Sequence, residues 1–344
     1  MSAKVIGSLF IAIVVMGAVI AFNTGPGNTT GGDVGGVLMV GLKDQLADVT
    51  EVSVRNSAGT VTLKKQEGDG WGVVERGGYP AEFDKLLDLL TALAGAEFRE
   101  KKTSKPENHH RLGLLSPGES AAAGTEVDSE DGGTATEVWV KTSAGDHAIL
   151  IGDSPSGRKG QYVRRPGEDQ AWLVSLDIDV SAEAGDWIPD VAFDVDSEQV
   201  NRVSLAHADG KTLTVTRQED EIDFAVLGIP EGKELRYPSI GNQLARALTK
   251  VRVQDVRVGA ASDDAFATAS RADFMLKDSS TVTVRAAREG DEYLLRFEVA
   301  GENVATDLVA ATKWTFVVTE YTHADFAKTM EDMVKAPPEP DDET

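Results

Sequence analysis

The chain has 344 residues, 41% apolar and 26% charged, enough for two domains of ordinary size, each with its own core. Its 34 Lys and Arg face 57 Asp and Glu, a formal charge of −23, and such a surface repels nucleic-acid phosphates and anionic lipid headgroups. It contains no cysteine, which excludes disulfides, thiolate metal sites, a cysteine nucleophile and lipoprotein acylation.

After Lys4, the 18 residues from Val5 to Phe22 carry no charge. As a helix they rise about 27 Å, close to the hydrocarbon thickness of a bilayer. Residues 1–23 are therefore expected to be an N-terminal membrane anchor crossing the lipid bilayer through residues 5–22. Lys4 favours a cytoplasmic N-end, which leaves the bulk of the chain on the periplasmic, extracytoplasmic side of a cell inner membrane. A cleaved signal peptide is the rival reading. Val19-Ile20-Ala21 suits a small-residue cleavage site, but the apolar run is longer than the usual one. Either way the chain beyond residue 23 lies away from ATP and nicotinamide cofactors. Residues 24–46 open on a Gly-, Asn- and Thr-rich stretch and are expected to be a flexible tether. Asn28-Thr29-Thr30 fits a glycosylation acceptor, a pattern such a tether also produces by chance.

From residue 47 the chain says nearly the same thing twice. VTEVSVRNSAG (49–59) is echoed by VNRVSLAHADG (200–210), and the alternating residues that follow reach Gln66-Glu67 and Gln218-Glu219. In the first copy Val49, Val52 and Val54, then Val61 and Leu63, then Trp71 and Val73 alternate between turns, which predicts a meander. In the second, Val200, Val203 and Leu205, then Leu213 and Val215, then Phe224 and Val226 do the same. Tyr79-Pro80 and Tyr237-Pro238 follow, with proline suited to a first helical turn. A helical stripe comes next, of Phe83, Leu86, Leu87, Leu90 and Leu93 in one copy and Leu244, Leu248 and Val251 in the other. Strands are then predicted over 135–142, 146–152, 161–165 and 171–175, and over 272–278, 281–287, 293–299 and 313–318. The second copy ends on a helix capped by Thr322, with Phe326, Met330, Met333 and Val334 in its stripe. Residues 116–133 read as a loop.

The fold class expected is α+β: two homologous, mainly antiparallel sheet-plus-helix modules in tandem, because the links between strands are too short for parallel crossovers. The modules span 47–190 and 191–335, and 336–344 is a disordered acidic tail.

The motifs of chemistry are incomplete. There is no Gly-x-Ser-x-Gly, and Gly118-Glu119-Ser120 lies in the loop. The five histidines, His109, His110, His147, His207 and His323, form no His-Glu-x-x-His, and solvated loop positions are expected for them. Asp177, Asp179, Ser181 and Glu183 alternate as in a calcium loop, but Ala182 stands where glycine is needed and Ile188 where glutamate is. In the stretch 152–160 Arg158 and Lys159 sit near a strand end, but Gly160 replaces the hydroxyl residue of a phosphate loop and a strand follows. What remains is a basic rim of Arg158, Lys159, Arg164 and Arg165, either a solvated turn or a contact patch for an acidic partner. With 57 acids, chance carboxylate pairs are assured, and none is singled out. No catalytic, cofactor-binding or metal residue is assigned, and no cofactor is expected.

The stretch ILIGDSPSGRKGQYVRRPGEDQAWLV (149–174) resembles a family of membrane-anchored bacterial proteins of unknown function. These are commonly encoded beside gliding-motility-type ABC transporters. The N-terminal anchor, the Val52-Ser53-Val54 strand with Gly59 and Trp71, the Tyr79-Pro80 segment and Arg111-Leu112-Gly113-Leu114 are similar too, while the loop at 116–133 departs from the pattern. The resemblance implies a repeated α+β fold and a non-enzymatic accessory or adaptor subunit, with ABC transporter membrane and ATPase subunits as partners. A free-standing envelope protein, ligand-binding or structural, is the alternative, followed by a carboxylate-dependent glycan hydrolase.

Overall fold

The computed structural model describes residues 33–68, 70–119, 133–218, 221–258, 263–301 and 306–336. The expected anchor at 1–23, the Asn28 acceptor, Glu219, most of the loop at 116–133 and the tail beyond 336 lie outside the described residues. Among the described residues no helix is long and apolar enough to cross a membrane. The fold is mixed helix and sheet, mostly antiparallel, and divides into two compact units. Of the described residues, the first holds those up to Val74 and those of Glu82–Ala184, and the second holds Glu75–Ala81 and those from Gly185 on.

In the first unit β1 (Val49–Arg55), β2 (Thr60–Lys65) and β3 (Trp71–Val73) form the expected meander. Val52, Val54, Val61 and Leu63 are wholly buried on one face, as period-two alternation requires. Asn56 closes the first turn, its Oδ1 accepting from the amides of Ala58 (2.9 Å) and Gly59 (3.3 Å). The helix Phe83–Gly95 buries Leu86, Leu89, Leu90 and Leu93. Each fully buried leucine contributes about 1.5–3 kcal/mol relative to exposure. Phe83 and Leu87, placed in the stripe from sequence, stay exposed, because the buried face centres on Leu86, Leu90 and Leu93 and leaves them at its start and flank.

The remaining strands are β4 (Phe98–Lys101), β5 (Thr136–Thr142), β6 (Gly145–Ile151), β7 (Gln161–Arg164) and β8 (Ala171–Val174). The order of these eight strands is β3-β2-β1-β5-β6-β7-β8-β4; the sheet has nine, the other being Tyr79–Pro80, which is extended rather than the first helical turn expected, the helix starting at Phe83. The chain between Val37 and Asp48 corrects the extent of the tether. Val37 bridges Glu97, the amide of Leu38 donates to Ala96 O, and Leu38, Met39 and Leu42 are buried. A 3₁₀ helix, Leu42–Asp48, leads into β1.

In the second unit the strands of the large sheet are β9 (Val200–Ala206), β10 (Thr212–Arg217), β11 (Phe224–Leu227), β12 (Asp255–Arg257), β13 (Ser270–Leu276), β14 (Thr281–Glu289), β15 (Glu292–Ala300) and β16 (Thr315–Val318). Their order is β11-β10-β9-β13-β14-β15-β16-β12, the same path as in the first unit. Val52 faces Leu63 and Val140, and Val203 faces Val215 and Phe274. The register shifts between Val49 and Glu51 in β1 and between Val200 and Arg202 in β9.

Two expected helices of this unit are shorter than their stripes. After the 3₁₀ turn Pro238–Gly241, the α-helix covers only Asn242–Ala245. Lys250 then takes a left-handed φ of 49°, its amide held by Asp194 Oδ1, and Val251 pairs with Phe193 as strand. At the end of the unit Thr319, not Thr322, is the cap, accepting from the Thr322 amide at 3.1 Å. Phe326 packs on Phe274 at 6.0 Å, Met330–Met333 forms its own helix, and Val334 pairs with Leu235. Tyr79 stands edge-on to Trp314 and Phe316, and burial pushes its phenol up to about 12.

Candidate functional site

The four cations singled out from the sequence do not form one surface. β6 and β7 are joined through Gly152–Gly160, and both end glycines are required. A Cβ on Gly152 would lie 2.2 Å from Leu112 O, and one on Gly160, at φ +126°, would lie 2.5 Å from Val174 O. The tip carries Arg158 and Lys159 into solvent. Arg158 keeps 63% of its side chain exposed and reaches Glu100 at 3.4 Å.

Arg164 and Arg165 are structural. Arg164 is buried, its Nε and Nη2 donating to Leu114 O (3.3 and 3.0 Å), Nη1 to Glu168 O (3.1 Å) and Nη2 to Ser116 Oγ (3.2 Å). Burial lowers its pKa, yet guanidinium keeps its charge throughout the physiological range. Arg165 lies over the Phe98 ring at 5.5 Å, donates to Leu38 O (3.2 Å) and pairs with Glu168 (3.8 Å). Both faces of β7 are covered, so alternation leaves it no solvent face for a cation to occupy.

The structure supplies other cations beside the tip. β4 and the residues after it carry Arg99, Lys101, Lys102 and Lys105. Arg99 Nη1 donates to Lys159 O at 3.0 Å. Glu100 stands between Lys102 (2.8 Å) and Arg158, and the Lys102 hydrogen bond, with Arg158 behind it, holds its carboxyl below the usual range. Lys101 Nζ sits 5.2 Å from the Trp172 ring and Lys102 Nζ 5.8 Å from that of Tyr162. The basic run 99–105 is visible in the sequence, but nothing there places it beside residues 158–159.

The histidines are not the solvated loop side chains expected. His109 and His110 are buried in the 3₁₀ helix Pro106–Leu112. His109 Nε2 bonds Asp169 O (2.9 Å), His147 Nε2 bonds Gln45 Oε1 (3.1 Å), and His207 spans Ser270 Oγ and Lys328 O. Nε2 of His110 and of His323 meets no partner among the described atoms. Burial lowers the pKa of His147 and of His323. In the calcium-like stretch Ala182 is buried, and Ser181 Oγ is engaged by the Glu183 amide at 3.0 Å. Among the described residues no three His, Asp or Glu side chains converge as a metal site. In the second unit Asp194, Asp196, Ser197, Arg246 and Thr249 line an open depression of 580 Å³. Three of these already serve the backbone. Asp194 holds the Lys250 amide, Asp196 the Glu198 amide, and Thr249 donates to Val195 O.

A family profile matches residues 71–271, from β3 into β13. The chain belongs to that family, Domain of unknown function (DUF4340). The DUF4340 match assigns no residue a role, and its limits fall inside both units. Neither the curated proteins nor the solved structures contain a match to the chain.

Proposed function

We propose that this DUF4340 protein is a non-enzymatic, membrane-anchored accessory or adaptor subunit of an ABC-type transporter, with its two units outside the cytoplasm. The observation that carries the reading is the order shared by eight strands of each sheet, β3-β2-β1-β5-β6-β7-β8-β4 and β11-β10-β9-β13-β14-β15-β16-β12. With the shared place of the register shift and the echo of 49–59 in 200–210, it supports a duplicated module. Duplication enlarges a binding surface without building a reaction centre, as an adaptor requires. The uncharged run Val5–Phe22 supports the anchor. The resemblance at 149–174 is the ground for naming transporter subunits as the partner.

The test is a mild-detergent pull-down of the tagged full-length protein from its native membrane, with mass spectrometry and a control lacking residues 1–23. Recovery of a permease and an ATPase only with the full chain is the expected result. Recovery of the protein alone from intact membranes overturns the stable complex and moves the reading to a free-standing envelope protein.

A further inference from the structure

We infer that the β4 edge of the first unit is a docking face for an anionic phospholipid bilayer. The inference rests on the anchored reading above and adds a second membrane contact, made by the folded unit itself.

The chain joins the fold at this edge. The amide of Gly35 donates to Phe98 O (2.7 Å), the amide of Phe98 donates to Gly36 O (2.8 Å), and Val37 bridges Glu97. Between Phe22 and Asp33 lie residues 23–32. A segment of that length spans at most about 36 Å when fully extended. If Val5–Phe22 lies in a bilayer, Gly35, thirteen residues past Phe22, is therefore tied within about 47 Å of the headgroups even at full extension, and Arg99 lies one residue beyond its partner Phe98.

The side chains at this edge suit that position. Val34 and Val40 are 63% and 61% exposed, and Val37 is exposed between them. Arg99, Lys101 and Lys105 are exposed along β4 and past it, and Arg158 and Lys159 at the neighbouring tip. The segments 97–107 and 152–160 together carry six cations against the four carboxylates of Glu97, Glu100, Glu107 and Asp153, on a chain that has 34 cations against 57. Exposed valines beside flexible cations match the two components of interfacial binding, shallow apolar burial and attraction to anionic lipid. An acidic protein would satisfy the cations alone. The valines and the short link to the apolar run select the bilayer.

Because the chain has no cysteine, Ser156→Cys gives a single label at the hairpin tip, and Ala58→Cys one on the β1–β2 turn, several strands away. Each labelled full-length protein is reconstituted into phosphatidylcholine liposomes with or without phosphatidylglycerol, and quenching by spin-labelled lipid is read. Quenching at residue 156 is expected to rise with phosphatidylglycerol, and to fall in high salt and in R158E/K159E. The ratio of docked to undocked protein should drop about fivefold per cation removed. Residue 58 should stay unquenched. The two cations are solvent-exposed, so the variant should keep its circular dichroism, and the salt titration reads the same contact with no substitution. Flotation with phosphatidylcholine liposomes in high salt tests the anchor separately. Flotation without lipid-dependent quenching at 156 overturns the docking face and leaves the anchor standing. Salt-sensitive flotation with phosphatidylglycerol alone supports the docking face and overturns the anchor. Flotation with neither overturns both.

Discussion

Replacing Arg164 tests the division of the basic rim into structural and exposed halves. Arg164→Ala removes four hydrogen bonds at once and strands the acceptors Leu114 O, Ser116 Oγ and Glu168 O. Leu114 is wholly buried, so water cannot reach its carbonyl without opening the unit. A buried acceptor left without a donor costs about 1–3 kcal/mol, and loss of the packed side-chain stem adds to it. Release of the guanidinium from its buried position offsets part of the loss, for a net cost of about 3–4 kcal/mol. Arg164→Lys offers a point charge in place of a fork and is expected to recover about half of this. Arg158→Ala, exposed and paired loosely with Glu100, should stay within about 0.5 kcal/mol. Two units can unfold separately, so the readout is hydrogen exchange of the peptides covering β7 and β8 rather than a global melt. Protection lost in R164A and kept in R158A is the expected pair. Equal exchange in the two variants would refute the assignment.

Arg76 and Asp255, both in the second unit, form a bidentate pair at 2.5 and 2.6 Å, and a double-mutant cycle should give a coupling of about 1 kcal/mol for this partly exposed geometry. His323 titrates below the unfolded value of about 6.5, so its stabilising effect is full above that pH and is lost as pH falls through the folded pKa. Burial is the main cause, opposed by the Ala287 backbone and Glu320 and assisted by Arg288. The protection factors of the 315–326 peptides, with the intrinsic pH dependence of amide exchange divided out, should fall from about pH 7 to 5 in the native chain and less so in His323→Phe, and identical profiles would exclude the histidine as the source. Phe326→Ala should cost about 3–5 kcal/mol in the second unit, measured the same way, since the ring is wholly buried against Phe274. Gly152→Ala should lower first-unit stability by about 2 kcal/mol or more, because a Cβ there would overlap Leu112 O, which backbone movement alone can relieve. Protection of the β6 and β7 peptides from hydrogen exchange no lower than in the parent would show that the hairpin can shift.

Much of the strand pattern is legible in the amino-acid order because burial on one face imprints a period of two, as in Val52 and Val54 or Val203 and Leu205. The echo of 49–59 in 200–210 likewise announces two similar sheets before any pairing is known. Other features needed the tertiary fold. The edge strands β4 and β12 are short and charged, so they carry no alternation, and only their neighbours β8 and β16 make them strands. Periodicity also overstated the helices, because Val251 and Val334 complete a helical stripe on paper yet pair as strands in the fold. The basic rim shows the limit most clearly. Arg158 and Arg164 are six positions apart in one motif, and charge is all that the residue type reports. One ends in solvent and the other among buried carbonyls because strand packing, a long-range property, decides which cations water can reach.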